Sequence, residues 1–333
     1  MNSVLKWRPR LADGTAPVLV VLVVLLVALA FAGPAYSDPA GYLSLLKRAA
    51  PLVILAIGQY FVIVSGGFDL SVGSLVTAGV VIAARLIGGD DSNTVWVIAL
   101  LLGFGVLVGL VNGLISTRLL VPSFIVTLGM LLVLDGAVFL WTGGAPRGSL
   151  STSFRMFGRG GVDLPVLGQL PWSVLILLAV LACAMLFMRS GTGRTLLAVG
   201  DNENAVRLAG GNVERLRLLA FVLSGLLAAL AAILLAGFAG VSAQVGQGLE
   251  FRAITAVVLG GALLGGGRGS VVAAAAGALS LEALFSLLNL VGVSGALESA
   301  VQGVIIIVAV AYAAHGAGLR RWLRPRRPAP AFQ

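Results

Sequence analysis

The chain has 333 residues, 59% of them hydrophobic and 11% charged, with mean hydropathy +1.06 and net charge +9. Soluble domains are about a quarter charged, so this composition excludes a soluble globular protein. Lone Cys183 and lone His315 supply no intrachain disulfide, no His/Cys metal cage and no supported Cys–His dyad, so no metal and no catalytic site are expected.

A bilayer accepts so apolar a chain only as helices or a closed barrel, and barrel strands alternate apolar with polar residues. The runs here are continuous, as in VLVVLVVLLVALAFAG, so the expected class is an all-α integral membrane protein. Ten apolar segments mark about ten transmembrane helices in one glycine-rich domain over 1–333, joined by short loops. The first, about 17–33, follows Lys6, Arg8 and Arg10 and reads as an uncleaved anchor.

The second and third, about 50–65 and 70–88, are divided only by SGGFD. Gly66 and Gly67 end one helix, and Asp69 is placed to cap the next at the cytoplasmic face, with Ser71 and Gly73 in its first turn. Two roles stand for this joint, a static cap or a bend that shifts during gating. The fourth segment, about 95–117, carries Gly105, Gly109 and Gly113 on one face, which suits close packing within the bundle or a subunit contact. The fifth, about 122–142, carries Asp135. A hydrophilic connection, about 143–171, then leads to the sixth segment, about 172–189, where Cys183 reads as a small packing residue.

The connection at about 190–215 contains GDNENAVRLAGG. Asp201 or Asn202 can cap a short helix from Glu203 to Leu208, which Gly210 and Gly211 then end; taken alone, the stretch reads equally as a solvated loop. Four segments follow, about 216–237, 253–266, 270–291 and 297–314, the middle pair divided only by GGGRG. Eight spans with two broken helices fit the same hydropathy. VIVSGGFDLSVGSLVTAG (62–79) is faintly echoed by VVLGGALLGGGRGSVVAAAAG (257–277), as in parallel repeats.

With ten spans the positive charges divide 15 to 7, which places both termini, about 1–16 and 315–333, on the cytoplasmic side. The connection 190–215 is then cytoplasmic and 143–171 external. The basic tail RRWLRPRR suits anionic lipid rather than nucleic acid. No phosphate-binding G-x-x-x-x-G-K-[ST] is present. Asp135 and Glu282 stand as isolated acids within spans, with no base clearly in the same layer, which makes a thin proton relay. Asn112, Thr127, Asp135 and Asn289 are candidates to line a path, and the neutral ones serve equally as interhelical hydrogen bonds.

Four stretches together resemble the permease subunits of bacterial ATP-binding-cassette importers for simple sugars, of the ribose, xylose, arabinose and galactose type: GGFDLSVGS (66–74), NGLISTRLLVPSFIVTLGM (112–130), GTGRTLLAVGDNENAVRLAGGNVERLR (191–217) and AITAVVLGGALLGGGRGSV (253–271). The likeness covers about 40–314. It implies a multi-pass protein of the bacterial cytoplasmic membrane that pairs with a second permease chain, as homodimer or heterodimer. It also implies an ATPase subunit that holds ATP and magnesium, and an external sugar-binding protein. Gly200, Asp201, Asn202, Glu203, Ala205, Arg207, Leu208, Gly210 and Gly211 would form the ATPase-coupling element, and 143–171 would help dock the binding protein. Asp135-Gly136 departs from the family pattern, which usually has arginine before the glycine. The competing reading is an ion- or proton-coupled carrier that works without an ATPase.

Overall fold

Seven helices are long and apolar enough to cross a membrane in the computed structural model, which describes residues 12–164, 168–293, 295, 297–305 and 307–308. They are α1 (Ala12–Ala32), α2 (Pro39–Val64), α4 (Thr94–Arg118), α5 (Ser123–Thr142), α7 (Trp172–Arg189), α10 (Val213–Ala239) and α12 (Val271–Leu290). Between them lie α3 (Val72–Ile87), α6 (Thr152–Arg159), α8 (Gly191–Asp201), α9 (Glu203–Leu208) and α11 (Leu249–Leu259). The only strands among the described residues are β1 (Gly161–Leu164) and β2 (Gly168–Pro171), an antiparallel pair.

Three boundaries differ from the sequence reading. The second span starts at Pro39 rather than near 50, because Asp38 caps it and its first turns are only partly apolar. The eighth is not a full span. α11 has 11 residues, about 16 Å of rise against roughly 30 Å of hydrocarbon. Its apolar run continues to 264, but Gly261, Gly266, Gly267 and Gly269 all take positive φ, so the chain turns there instead of winding on. The connection at about 143–171 is also not a plain loop: Ser151 caps α6, which leads into the β1–β2 hairpin. Residues 297–305 and 307–308 are helical, while 306, 309–314, His315 and most of both tails lie outside the described residues.

α2 is the centre of the bundle, buried without interruption from Ala49 to Val64. α10 lies across it and against α4. A Cβ on Gly105 would sit 2.3 Å from the Gly225 carbonyl oxygen, and one on Gly109 equally close to that of Phe221. The glycine stripe therefore packs α4 onto α10 within this chain, which decides between the two roles open for it. α6 rests on the last turn of α10, through Gly158 against Gly237, and α9 on its first turns, so the two short helices mark opposite ends of the bundle. Large apolar side chains such as Phe31, Val95 and Leu140 point outward, as a lipid-facing surface requires. Cys183 is exposed on α7, so the packing role read for it does not hold.

Candidate functional site

Val64 ends α2 and Val72 begins α3, and in the joint between them Ser65, Gly67 and the run from Asp69 to Ser71 are buried rather than set at a solvent-facing helix start. Asp69 is 1% exposed. Its carboxylate accepts the Ser71 N–H at 3.0 Å, the Ser71 hydroxyl at 2.6 Å and the Ser224 hydroxyl of α10 at 2.8 Å. The Ser71 oxygen in turn accepts from the Asn112 amide of α4 at 2.9 Å. With its amide oriented to satisfy both bonds, Gln59 of α2 donates to the Asp69 carbonyl at 3.0 Å and accepts its N–H at 3.3 Å. From α5, the Ser123 hydroxyl oxygen accepts the Phe68 N–H at 3.0 Å, and Thr127 donates to the Phe68 carbonyl at 3.2 Å.

Side chains from four helices thus converge on one carboxylate and its loop. A buried charge is tolerated because several donors satisfy it. The expected cap is corrected in detail: Asp69 binds the N–H just ahead of α3, while Ser71, at the N-cap position, makes no side-chain cap bond. Asn112 and Thr127, candidates for a path, are fully buried against this joint instead. Ser224 is the residue the sequence reading missed. Its only signal is a hydroxyl in the middle of a long apolar run.

The second joint, residues 260–270, meets the first at the α9 end of the bundle. The Gly267 N–H donates to the Val64 carbonyl at 3.0 Å. The end of α8 closes the contact: a Cβ on Gly200 would lie 2.0 Å from the Val64 oxygen and 2.4 Å from the Gly267 nitrogen. One on Gly266 would lie 2.9 Å from the Gly66 nitrogen. Gly66, Gly200, Gly266 and Gly267 therefore form a junction of bare backbone. Gly67 is wedged beside Val62 and Ser123, and Gly73 lets the Glu250 carboxylate at the start of α11 rest on α3.

Beyond α8 the chain builds a small rigid knob. Asn202, not Asp201, caps α9, accepting the Ala205 N–H at 3.0 Å. Gly210, at φ +80°, stops the helix, and the Gly211 N–H donates back to Val206 at 2.8 Å. Arg207 bridges Glu203 at 2.9 Å and Glu214 at 2.5 Å, and Arg217 reaches Glu203 at 2.7 Å. Partial burial works against the charge of Glu203, but hydrogen bonds and charges from Arg207 and Arg217 outweigh it and hold its carboxyl below the usual value. Leu208 tops this pinned helix and is 90% exposed.

Two cavities open within the bundle. One, about 630 Å³, lies between α3, α5 and the start of α11; Ser74, Thr77, Asp135, Gln244 and Glu250 supply its polar lining. Asp135 makes no hydrogen bond or ion pair among the described residues. Of the four path candidates it alone faces this space. Asn289 lines the other cavity, about 400 Å³, together with Arg48, Arg252, Glu282 and Glu298. Glu282 is therefore not an isolated acid: two bases share its cavity. No group of three or more His, Cys, Asp or Glu side chains among the described residues could hold a metal ion.

Residues 41–310 match the family model described as the permease component of the branched-chain amino acid transport system. The ribose import permease protein of Escherichia coli strain K12 is 36% identical over 298 residues, covering 88% of this chain and 91% of the relative. The ribose import permease protein of Bacillus subtilis strain 168 is 35% identical over 298 residues, covering 87% and 89%. The autoinducer 2 import system permease protein of Enterobacter sp. strain 638 is 36% identical over 259 residues, covering 77% and 74%. No solved structure matches the chain.

Proposed function

The chain belongs to the family of permease components of the branched-chain amino acid transport system, and from that premise we propose that it is the membrane-spanning subunit of an ATP-binding-cassette importer for a simple sugar. The observation that carries the sugar reading is the identity to ribose import permeases over nearly the whole length of both chains. The autoinducer 2 import relative, matched at similar identity, keeps the solute from being fixed as ribose. The cavity with Asp135 offers hydroxyl, amide and carboxylate groups to a polar solute, as small-molecule sites do.

In this reading the chain sits in the bacterial cytoplasmic membrane with both termini inside. It pairs with a second permease chain, and it receives solute from an external binding protein at the α6 end. A separate ATPase holds ATP and magnesium and docks at the α9 end. α9 suits that docking because ion pairs fix it and Leu208 stands free, as a knob for a groove does. Behind it, the glycine junction links α8 to both joints, so a push on α9 reaches the first joint without passing through flexible side chains.

The test is uptake of labelled ribose into proteoliposomes that contain this chain, its ATPase and its binding protein. ATP-dependent uptake is expected, and Leu208→Asp should cut both ATPase co-purification and uptake at least tenfold. Unchanged co-purification would remove α9 from the docking surface. Uptake by this chain alone under a pH gradient, abolished by Asp135→Asn, would replace the importer with a proton-coupled carrier.

A further inference from the structure

The first turn of α11 separates the two cavities: Glu250 faces one and Arg252, two residues on, faces the other. The second cavity lies toward the α6 end, because Lys47, beside Arg48 on α2, donates to the Arg159 carbonyl at the close of α6 at 2.7 Å. Its charges balance, with Arg48 and Arg252 against Glu282 and Glu298.

Most of these groups are already partnered. Arg48 donates to the Tyr36 hydroxyl at 2.9 Å. Arg252 pairs with Glu298 at 3.4 Å and lies 4.9 Å from the centre of the Phe285 ring. Asn289 donates to Glu298 at 2.7 Å. Glu282 makes no hydrogen bond or ion pair among the described residues, although Arg48 and Arg252 line the same cavity. An ionisable group inside a span is expensive and marks function by default. A polar group without a protein partner in an open cavity is completed by water or by a ligand that displaces it.

We propose that this cavity is a second binding site, for a neutral polyhydroxylated solute of monosaccharide size. A hydroxyl both donates and accepts. Glu282 takes a hydroxyl hydrogen while the spare N–H groups of Arg48 and Arg252 bind hydroxyl oxygens, and no existing pair is broken. A zwitterionic amino acid would bring full charges and have to displace Glu298 from Arg252. The volume, about 400 Å³, lies in the roughly 300–1,000 Å³ range of small-molecule sites. The site rests on its own geometry; with the importer reading it becomes a holding place at the end where solute arrives.

The experiment is equilibrium dialysis of the full chain in lipid nanodiscs against labelled D-ribose, D-xylose, L-arabinose, D-galactose and L-leucine. At least one sugar should bind, Glu282→Gln and Arg48→Gln should each weaken it tenfold or more, and Cys183→Ser on the exposed face of α7 should leave it unchanged. Size-exclusion profiles that match the unsubstituted chain show that the variants fold. Three results overturn the site: no binding of any of the four sugars, binding of leucine alone, or sugar binding that survives both substitutions and is lost in Asp135→Asn. The last result would leave the importer reading intact, since it would place the solute in the α3–α5 cavity.

Discussion

The two joints carry similar glycine patterns and lie against one another, yet they are held in different ways. The first, 65–71, is gripped by side chains from four helices, bonded to the Asp69 carboxylate, to Ser71 and to the backbone of the joint. The second, 260–270, is held mainly by its own backbone, through Ala262 to Val257, Leu263 to Arg268 and Gly266 to Leu263, with one side-chain bond from the Tyr60 hydroxyl to the Gly269 carbonyl. Its charged residue, Arg268, is exposed, where the charged residue of the first is buried. A joint tied by buried charge-assisted bonds has one geometry, because each bond left unmade costs the desolvation of its group. A joint of glycines with few side-chain ties can change its dihedrals at little cost. The first is therefore held by side chains and the second mainly by its own backbone, and α8 touches both at Gly200.

The largest effect that tests this contrast is loss of the carboxylate. Asp69→Ala removes the partner of two hydroxyls and an N–H that stay buried, which costs roughly 3–5 kcal/mol, as breaking a buried ionic network does. Thermal unfolding of the purified chain should show loss of the folded, monodisperse state, and Asp69→Asn should fall between. A melting temperature unchanged in Asp69→Ala would show that the joint does not depend on its charge.

Next comes the shared contact. Gly200→Val places a side chain into the Val64 carbonyl and the Gly267 nitrogen, and backbone cannot step aside as a side chain does. The expected loss is about 1–3 kcal/mol, the usual range for overpacking, together with loss of transport. The two joints then diverge at paired glycines. Gly66 and Gly266 have nearly the same φ, +87° and +86°, but a Cβ on Gly66 meets nothing nearer than 3.8 Å, whereas one on Gly266 meets backbone at 2.9 Å. Gly66→Ala should cost about 1–2 kcal/mol from its left-handed conformation alone, and Gly266→Ala measurably more. Equal melting temperatures for the two would mean that the junction is looser than its backbone spacing.

Much of this architecture is legible from residue types, and some is not, for physical reasons. Long spans follow from hydropathy, because a bilayer leaves the backbone no other solution. The α9 knob follows from local chemistry: its cap, Asn202, and its stop, Gly210-Gly211, act within five residues. The burial of Asp69 does not, because its α10 partner Ser224 lies 155 positions away. Neither does the pairing of Arg252 with Glu298, 46 positions apart, which leaves both looking solitary along the chain. The eighth span misleads because AVVLGGALLGGG is as apolar as a helix, and only the positive φ of its glycines reveals the turn.

A smaller effect separates the knob from the joints behind it. Glu203 has its carboxyl held below the ordinary value of 4.5, so its ion pairs contribute fully above that pH and are lost as pH falls through the lower folded value. Protection from hydrogen exchange at 203–211, taken relative to the intrinsic rate, should therefore fall below about pH 4.5 while the amides of 65–71 stay protected, and Glu203→Gln should weaken the pH dependence at α9, leaving the share of Glu214. Parallel loosening of both regions would mean that the knob and the first joint open as one unit.

The smallest expected effect is the sharpest comparison. Arg268→Ala removes the charge of the second joint, as Asp69→Ala removes that of the first. The Arg268 side chain is exposed and makes no hydrogen bond or ion pair among the described residues, while its carbonyl, which accepts from Leu263, survives the substitution. Stability should shift by no more than about 0.5 kcal/mol, as for surface changes away from a packed feature. The two variants differ only in which joint loses its charge, so their melting temperatures measure how far each joint depends on side chains. A loss from Arg268→Ala approaching that from Asp69→Ala would show that the second joint depends on its charged side chain as much as the first does.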